Sequence, residues 1–301
     1  MKNIDNLTIV IVTYKTSENI IFDCLKSINR SVKVLIIENS DKFIHEKKIL
    51  SNFSNVEVYC TGDNLGYGKG NNFGLKLVKT DFALILNPDV ICEKDFFSKI
   101  INIITKVENF TIIGCQYLND KIYMPAGFFN KKENLKFKDD FMNNKVNALS
   151  KVEWVTGCSM LINLEKFNDK EIFDKNFFLY FEEIDLCKSI INKGGNIFSS
   201  QDLKIHHLGF KSSLEEDSGD KVNLNKIREW HWMWSSFYFY KKNYNYLYAI
   251  YQMIGKFIKS ILKLLFYSAT FQRNKKNKYL YRFLGLYNSL LNKPSNFRGE
   301  K

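Results

Sequence analysis

The sequence predicts an α/β fold in which a mostly parallel, doubly wound sheet carries helices on both faces. Apolar runs rich in Ile and Val alternate with segments of helical spacing, and three of these runs end abruptly in polar clusters. Such alternation is typical of parallel sheets, and the carboxyl ends of their strands line one crevice where ligands bind. A helical, aromatic and basic C-terminal segment completes the predicted architecture.

The first half of the chain supplies the predicted parallel strands. Four apolar runs are interpreted as strands: Leu7–Thr13, Val32–Ile37, Val56–Tyr59 and Phe82–Leu86. Apolar residues three and four positions apart predict helices at Ser17–Ile28, Phe43–Phe53 and Leu75–Val78. The polar, glycine-rich segment 61–74 is predicted as a loop.

The second half is less regular. Helices are predicted at Phe96–Val107 and Glu182–Lys193, the second ended by Gly194-Gly195. Strands are predicted at Ile112–Cys115, Lys121–Met124, Val152–Asn163, Asn196–Ser199 and Leu203–His206, and the polar segment 128–151 is predicted as loop-rich. The pattern divides the chain into a folded domain over residues 1–225, with halves 1–95 and 96–225, and a helical tail over 226–301.

The net charge of +12 resides in that tail. Residues 221–301 hold 16 Lys and Arg against two acidic residues, so the other 220 residues sum to −2. This distribution argues against a nucleic-acid groove and favours a basic segment that contacts an anionic surface. Within the apolar stretch 246–271, Lys256, Lys259 and Lys263 share one helix face. That spacing disfavours a membrane-spanning helix and favours one lying on a membrane; the alternative is a helix packed on its own domain with solvated lysines.

The six cysteines, at 24, 60, 92, 115, 158 and 187, form no CxxC pair. They are interpreted as reduced residues rather than as a disulfide frame or a zinc site. The first apolar run begins almost at the N-terminus, without the pattern of a signal peptide. We therefore expect a cytoplasmic protein bound peripherally at the inner face of the cell membrane.

The segment Asn87-Pro88-Asp89 follows the predicted strand Phe82–Leu86. A carboxylate at a strand end can hold a divalent metal, which in turn can hold a diphosphate. The alternative is an ordinary turn.

A second segment, from Asn64 to Asn72, places Gly66, Gly68 and Gly70 at alternate positions. It matches neither GxGxxG nor a Walker loop, and it is either a close-approach segment for a ligand or a flexible loop.

Three carboxylates, Glu182, Glu183 and Asp185, follow the aromatic run 177–181 and begin a predicted helix. Acidic residues in a first helical turn are favoured by the helix dipole, so they could simply cap it. Apolar neighbours could instead raise the pKa of a carboxyl group and make it a usable base. The adjacent His206 and His207 face opposite ways on a strand, so only one joins a given site easily.

In combination these segments resemble the family-two glycosyltransferases of the GT-A fold, and within them the rhamnosyltransferase-like branch that builds bacterial surface polysaccharides. The likeness runs from about residue 7 to about residue 240. It is carried by seven segments in order: 10–14 (Val-Ile-Val-Thr-Tyr), 38–40 (Glu-Asn-Ser), 64–72, 86–89 (Leu-Asn-Pro-Asp), 154–157 (Trp-Val-Thr-Gly), 180–187 (Tyr-Phe-Glu-Glu-Ile-Asp-Leu-Cys), and His206 with Gly209.

The resemblance implies a Rossmann-like nucleotide-binding half over 1–95, an acceptor half over 96–225 and a role for each motif. It implies donor-binding residues at Thr13, Tyr14, Glu38, Asn39, Asn64, Gly66, Gly70, Asn71, Asn87, Asp89, Trp154 and Gly157. Asp89 would hold Mg²⁺ or Mn²⁺ with His206 as a second contact, although His207 stays open. Glu183 would be the general base, where the family usually has Asp, and Glu182 or Asp185 could share that role. The family also usually has Asp at position 38.

These roles imply an inverting, metal-dependent transfer from a nucleotide diphosphate sugar to a hydroxyl, since a single base and in-line attack invert C1. dTDP-rhamnose is the first expectation for the donor, and a saccharide on undecaprenyl diphosphate would explain a basic tail at an anionic membrane. Two alternatives stay open: a nucleotidyltransferase with a similar half-fold, and a non-enzymatic membrane-binding protein with a degenerate transferase domain.

Overall fold

The computed structural model describes residues 4–118, 125–209 and 218–299. The predicted strand Lys121–Met124 lies outside the described residues. The chain divides into two compact units, each assembled from separate segments. The first comprises Met1–Leu65, Lys69–Phe173 and Leu186–Leu214, and the second comprises Gly66–Gly68, Asp174–Asp185 and Glu215–Lys301. The domain boundary at 225/226 stays a prediction.

The first unit is built on one large twisted sheet. The described strands are β1 (Leu7–Thr13), β2 (Lys33–Glu38), β3 (Val56–Cys60), β4 (Phe82–Leu86), β5 (Val90–Cys92), β6 (Ile112–Tyr117), β7 (Ala126–Gly127), β8 (Leu149–Val152), β9 (Trp154–Val155), β10 (Ser159–Asn163) and β11 (Ile197–His207). The large sheet has the order β3-β2-β1-β4-β10-β6-β11-β5, with β8 paired to β11, and β7 pairs with β9 separately.

The predicted parallel part is present at one side of this sheet. Pairings β1–β2, β1–β4 and β2–β3 are parallel, as is β6–β11. The second half of the chain adds antiparallel neighbours, because β10 runs against both β4 and β6, and β11 runs against β5 and β8. The sheet is therefore mixed.

Helices pack on both faces of the sheet. The described helices up to residue 192 are α1 (Glu18–Ser27), α2 (Glu46–Asn52), α3 (Tyr67–Leu77), α4 (Phe96–Lys106), α5 (Lys131–Met142) and α6 (Glu182–Asn192). Ile9 and Leu84, on one face, share a buried cluster with residues of α1, α2 and α4. Val10 and Ile37, on the other face, lie against Gly74 of α3. Because strand side chains alternate between faces, both faces of β1 are buried, which explains its continuous apolar run. The predicted α/β fold is confirmed.

Helix α3 corrects the predicted loop over 61–74, since the helix begins at Tyr67. Its glycines explain the difference. A Cβ at Gly70 would lie 2.9 Å from Val12 and 3.0 Å from the side chain of Asn39. A Cβ at Gly74 would collide with Val10 and lie 2.9 Å from Ile37. These glycines let α3 pack closely on the sheet, despite their low helix propensity.

We expect Gly74→Ala to destabilise the protein by about 1–3 kcal/mol, because the added methyl group overpacks the core. Gly255→Ala is the matched control, since Gly255 also lies inside a helix but a Cβ there meets nothing within 4 Å. The control should gain stability, by up to about 1 kcal/mol of helix propensity. Urea denaturation of both variants measures the difference. Equal stability of the two variants would contradict the packing role of Gly74.

The segment 128–151, predicted as loop-rich, contains helix α5. The Asn130 side chain caps it by accepting hydrogen bonds from the backbone N–H groups of Lys132 and Glu133. Phe137 and Phe141 bury one face of it. The many charged residues lie on its exposed side, which is why the segment resembles a loop in sequence. Two further boundaries also differ from the prediction. The predicted strand 152–163 is divided among the end of β8, β9 and β10, and the two strands predicted over 196–206 form the single strand β11, which has a bulge between Ser200 and Lys204.

The second unit contains the predicted C-terminal helices α7 (Ser218–Asn243), α8 (Tyr246–Ala269) and α9 (Arg273–Leu290). Met233 and Phe237 of α7 form a buried cluster with Met253 of α8 and Leu286 of α9. His231 is fully buried and bonds the carbonyl of Phe297 at 2.8 Å. Burial lowers the pKa of His231 to about 3, so the ring is neutral and structural. In the part of the chain that the structure describes, the helices are too short or too polar to span a bilayer.

Candidate functional site

The polar clusters predicted to line a crevice lie at one edge of the sheet. β1 pairs in parallel with both β2 and β4, with Thr13 opposite Glu38 and Val10 opposite Ile85. The carboxyl ends of the three strands therefore meet at the same edge. This is the edge where open α/β sheets bind ligands.

Glu38 organises this edge. Its carboxylate is buried and accepts hydrogen bonds from the Thr13 hydroxyl at 2.6 Å, the Lys15 backbone N–H at 3.1 Å and the Ser40 hydroxyl at 2.6 Å. The side chain thereby joins the ends of β1 and β2. Its predicted contact with a nucleoside stays a prediction, but these bonds show that it already fixes Thr13 and Ser40.

The other donor-binding residues predicted around this edge lie just after β1 and β2, just before α3, or on α3 itself. The Asn39 N–H bonds the Thr13 carbonyl at 2.8 Å. The Asn39 side chain is buried beside Gly70, and Asn71 is buried one residue further along α3. Tyr14 and Asn64 are partly exposed. Gly70 faces Asn39 and Val12, so its absent side chain makes room for the sheet.

Asp89 follows β4 and precedes β5, and its carboxylate is 1% exposed. His207 pairs across from Val90, and this pairing brings its Nε2 to 3.4 Å from Asp89 Oδ1. The Leu208 N–H also donates to the Asp89 carbonyl at 2.9 Å. Strand pairing between β5 and β11 thus places an imidazole beside the predicted metal-binding carboxylate.

His206, the histidine first predicted beside Asp89, lies elsewhere. Its Nε2 contacts the Glu93 carboxylate at 2.7 Å, and its Nδ1 lies 3.0 Å from the Leu118 carbonyl. Adjacent strand residues point to opposite faces of a sheet. The structure therefore brings His207, the open alternative, to Asp89 and directs His206 away.

A buried polar group behind His207 was not predicted from the sequence. The Tyr117 ring lies 5.6 Å from the His207 ring. The Tyr117 hydroxyl hydrogen-bonds the Thr156 hydroxyl and accepts from the Cys158 thiol at 2.6 Å. Burial raises the pKa of Cys158, with nearby Asp89 contributing, so the thiol stays protonated. Tyr117 gave no signal in sequence because it ends an ordinary strand.

Asn87 directly follows β4, whereas Trp154 and Gly157 lie on and just after β9, and all three are partly buried. The Asn87 N–H donates to the Cys158 carbonyl at 2.8 Å. Trp154 donates its indole N–H to the Phe128 carbonyl at 3.2 Å. Their predicted contacts with a donor stay predictions.

Asp89 and His207 form a small set of candidate metal ligands. Within residues 4–118, 125–209 and 218–299, three or more His, Cys, Asp or Glu side chains are nowhere grouped to hold a metal ion. Mg²⁺ and similar cations at phosphate sites commonly use one or two protein ligands and take the rest from phosphates and water. One carboxylate with one imidazole fits a cation bound in that way.

The acidic helix start belongs to the second unit. Glu182 is buried, Glu183 is partly buried, and both open α6. Desolvation raises the pKa of both carboxyl groups, and the Glu183 charge raises that of Glu182 further. Among the residues described, no hydrogen-bond partner reaches the buried Glu182 Oε2. The pair fits one protonated carboxyl, Glu182, beside one that ionises at a higher pH than an ordinary Glu.

Asp185, which could have shared the role of base, is held by structural bonds. It accepts from Lys242 Nζ at 2.6 Å and from the Asn243 amide at 2.8 Å, both on α7. Lys242 also pairs with Asp174 at 2.7 Å. Burial raises the pKa of Asp185, while the bonds to Lys242 and Asn243 oppose that shift. These contacts fix the start of α6 against α7.

The residues just before Glu182 have unusual backbone conformations. Tyr180 and Phe181 both have a backbone φ angle near +70°, a conformation that residues other than glycine rarely adopt. Their rings pack on Trp232 at 5.3 and 5.6 Å between centroids, and Phe181 also packs on Phe239. Packing on α7 therefore holds two strained residues beside the carboxyl pair, as is found at functional sites.

Gly66 lies in the same unit. Its φ is +81°, the Tyr67 N–H donates to the Phe178 carbonyl at 3.1 Å, and a Cβ at Gly66 would collide with that carbonyl. Only glycine fits this contact without strain. The structure therefore explains Gly66 by its approach to the aromatic run 177–181, and its predicted contact with a donor stays a prediction.

Comparison with known proteins gives the family. Residues 8–167, more than half of the chain, match the model of glycosyl transferase family 2. The hexosyltransferase Agl10 of low-salt glycan biosynthesis in Haloferax volcanii is 26% identical over 206 residues, 66% of either chain. The rhamnosyltransferase WbbL of Escherichia coli K12 is 23% identical over 257 residues, 74% of this chain and 88% of WbbL.

Solved structures support the fold. The mannosyltransferase PcManGT of Pyrobaculum calidifontis, in complex with GDP-Man and Mn²⁺, aligns with a TM-score of 0.53 at 12% identity, over 96% of this chain and 88% of that one. GalNAc-T7, solved with UDP, GalNAc and Mn²⁺, aligns with a TM-score of 0.54 at 13% identity, over 78% of this chain and only 50% of that one. At such identities the likeness shows a GT-A fold alone. The family match, by contrast, covers the strand ends from Thr13 to Asp89, and the chain belongs to glycosyl transferase family 2.

Proposed function

We propose that the protein is an inverting, metal-dependent glycosyltransferase that moves a sugar from a nucleotide diphosphate donor to an acceptor hydroxyl. The observation that carries the proposal is the Glu182–Glu183 pair in a chain of this family. Attack by a hydroxyl at C1 needs a base, and a carboxyl of raised pKa is better matched to that task near neutral pH than an ordinary one.

The donor is assigned to the edge where β1, β2 and β4 end. Thr13, Tyr14, Glu38 and Asn39 contact the nucleoside in this proposal. The nucleotide and sugar are bordered by Asn64, Gly66, Gly70, Asn71, Asn87, Trp154 and Gly157. The hydrogen bonds of Glu38 to Thr13 and Ser40 support it, because they fix polar groups at this edge before a ligand arrives.

Asp89 and His207 would hold Mg²⁺ or Mn²⁺ together with the donor diphosphate. When bound, the cation supplies positive charge that stabilises the leaving diphosphate. Two observations support this assignment: the 3.4 Å approach of His207 to Asp89, and the Mn²⁺ in the structures of PcManGT and GalNAc-T7. The carboxylate of Asp89 is kept in place by its burial.

Glu183 accepts the proton of the acceptor hydroxyl while the oxygen of that hydroxyl forms a bond to C1 of the donor sugar. The bond from C1 to the diphosphate breaks on the opposite side, and its electron pair leaves with the nucleoside diphosphate. A single displacement of this kind inverts the configuration at C1. Glu182, whose pKa is raised more strongly, stays protonated and keeps a second negative charge away from the base.

The donor sugar is assigned as rhamnose carried by dTDP. WbbL, a rhamnosyltransferase, supports this choice, whereas Agl10 keeps hexoses open. The acceptor is assigned as a growing bacterial surface polysaccharide, of the O-antigen or capsule kind, on undecaprenyl diphosphate. The basic tail 226–301 supports an enzyme that works peripherally at the cytoplasmic face of an anionic membrane.

A thermal-shift panel of dTDP-rhamnose, UDP-hexoses and GDP-mannose, each with Mn²⁺ or Mg²⁺, tests the donor. We expect dTDP-rhamnose to raise the melting temperature by several degrees, because a ligand at 100 times its Kd adds about 2.7 kcal/mol. Product analysis with the same donor should give free dTDP. Release of pyrophosphate would instead indicate a nucleotidyltransferase, and no shift with any donor would indicate a degenerate, non-enzymatic domain.

A further inference from the structure

An exposed apolar stripe runs along α8. Its six members are between 46% and 77% exposed: Leu247, Tyr251, Ile254, Ile258, Leu262 and Leu265. They recur every three or four residues and so lie on one face of the helix. The opposite face, with Ala249, Met253 and Ser260, is buried. The helix thus has two apolar faces, and only one of them is covered by the protein.

The stripe runs along most of the helix. Its first and last members, Leu247 and Leu265, are 18 residues apart in the 24-residue helix α8, which corresponds to about 27 Å. Contiguous apolar surfaces of this kind mark interaction sites in soluble proteins. Phe266 and Phe271, 54% and 92% exposed, add aromatic surface at its C-terminal end.

The charges beside the stripe identify the kind of partner. Lys256, Lys259 and Lys263 share a face of α8 between the stripe and the buried face, and Lys256 and Lys259 are exposed. The Lys263 ammonium lies 5.7 Å from the Phe266 ring centroid and 5.5 Å from that of Tyr267. The sequences of α8 and α9 contain eight Lys and Arg and no Asp or Glu. A second copy packed on the stripe would bring lysines against lysines without an acidic partner from these helices.

We infer that this stripe is the surface through which α8 lies in the interfacial plane of an anionic lipid bilayer. The apolar side chains enter the acyl boundary, and Lys256, Lys259 and Lys263 contact lipid phosphates beside it. Helices with an apolar face and lysines on the polar face bind membranes in this way. Only the purpose of this membrane binding, which is to bring the enzyme to a lipid-linked acceptor, rests on the proposed function.

Co-sedimentation of the full chain with vesicles tests the surface. The vesicles are phosphatidylcholine alone, or phosphatidylcholine mixed with phosphatidylglycerol. Ile258→Gln/Leu262→Gln should lower the partition coefficient on mixed vesicles by at least about tenfold, since two buried apolar side chains are lost without a change in charge. Leu135→Gln is the matched control, because Leu135 is 58% exposed on α5, a helix of the first unit; it should bind like the wild type.

Substitution of the three lysines tests the electrostatic part of vesicle binding. Lys256→Gln/Lys259→Gln/Lys263→Gln should lower binding to mixed vesicles by about tenfold or more, and added salt should weaken the wild type in the same way. Binding to pure phosphatidylcholine should change little. Circular dichroism and melting temperature should match the wild type for both sets of variants, because none of the substituted side chains is buried in the protein.

Equal partitioning of the wild type and of the Ile258/Leu262 variant would overturn the inference. So would sedimentation equilibrium showing that the wild type self-associates through the stripe while vesicles fail to bind it. Release of dTDP from dTDP-rhamnose in the absence of vesicles reports on the proposed chemistry separately. Vesicle binding without that activity would contradict the proposed function and would still support the inference that α8 binds membranes.

Discussion

Replacing Asp89 by asparagine is expected to lower sugar transfer by about a thousandfold, the scale of losing a key electrostatic contact to a developing charge. The amide keeps the shape of the buried side chain but loses the negative charge needed to hold a divalent cation. Initial rates of dTDP release, measured over a range of Mn²⁺ concentrations, give the size of the loss. Asp139→Asn, on the exposed side of α5, is the control and should leave the rate unchanged.

The two adjacent histidines provide a sharper comparison at the same site. His207→Gln should raise the Mn²⁺ concentration needed for half-maximal rate by about tenfold or more, because changes around a metal typically cost 10–100-fold in affinity. His206→Gln should leave that concentration near the wild-type value, since His206 bonds Glu93 and Leu118. The reverse result would restore His206 as the metal contact. Full activity of Asp89→Asn would remove the metal assignment altogether.

Replacing Glu183 by glutamine is expected to lower the turnover by about 10²–10⁴-fold, the usual contribution of a general base. The amide keeps the volume of the side chain and its place at the start of α6, but it cannot accept the proton. Binding of dTDP-rhamnose should persist, so the donor-induced thermal shift is the control for folding. The measurement is turnover at saturating donor.

The pH profile separates Glu183 from its neighbour. Desolvation raises the pKa of Glu183, and the base acts only when ionised. Turnover of the wild type should therefore rise with pH, in a limb above the range of an ordinary Glu. Glu182→Gln should keep this limb and most of the rate, since Glu182 is proposed to be protonated already. A large loss in Glu182→Gln with normal turnover in Glu183→Gln would exchange the two roles.

The elements of the parallel sheet could be predicted from sequence because each buried strand carries its own signal. β1, β2 and β4 each contain four or five buried apolar residues, and each strand ends in or is followed by polar residues that cannot be buried without partners. The errors have local causes. Helix α3 contains glycines, which resemble a loop, and α5 is too charged to show a strong apolar period. In both, contacts with other parts of the chain outweigh helix propensity.

The sequence by itself determined the alternation of strands and helices, the polar strand ends, the acidic start of α6 and the basic tail, because these patterns are local in the chain. Only the tertiary structure decided which histidine reaches Asp89, since that depends on the register of β5 against β11. It also decided that Asp185 is bound by Lys242, which lies 57 residues away, and which apolar face of α8 the protein leaves exposed. Such contacts join distant segments, and their geometry is set by packing rather than by any period in the sequence.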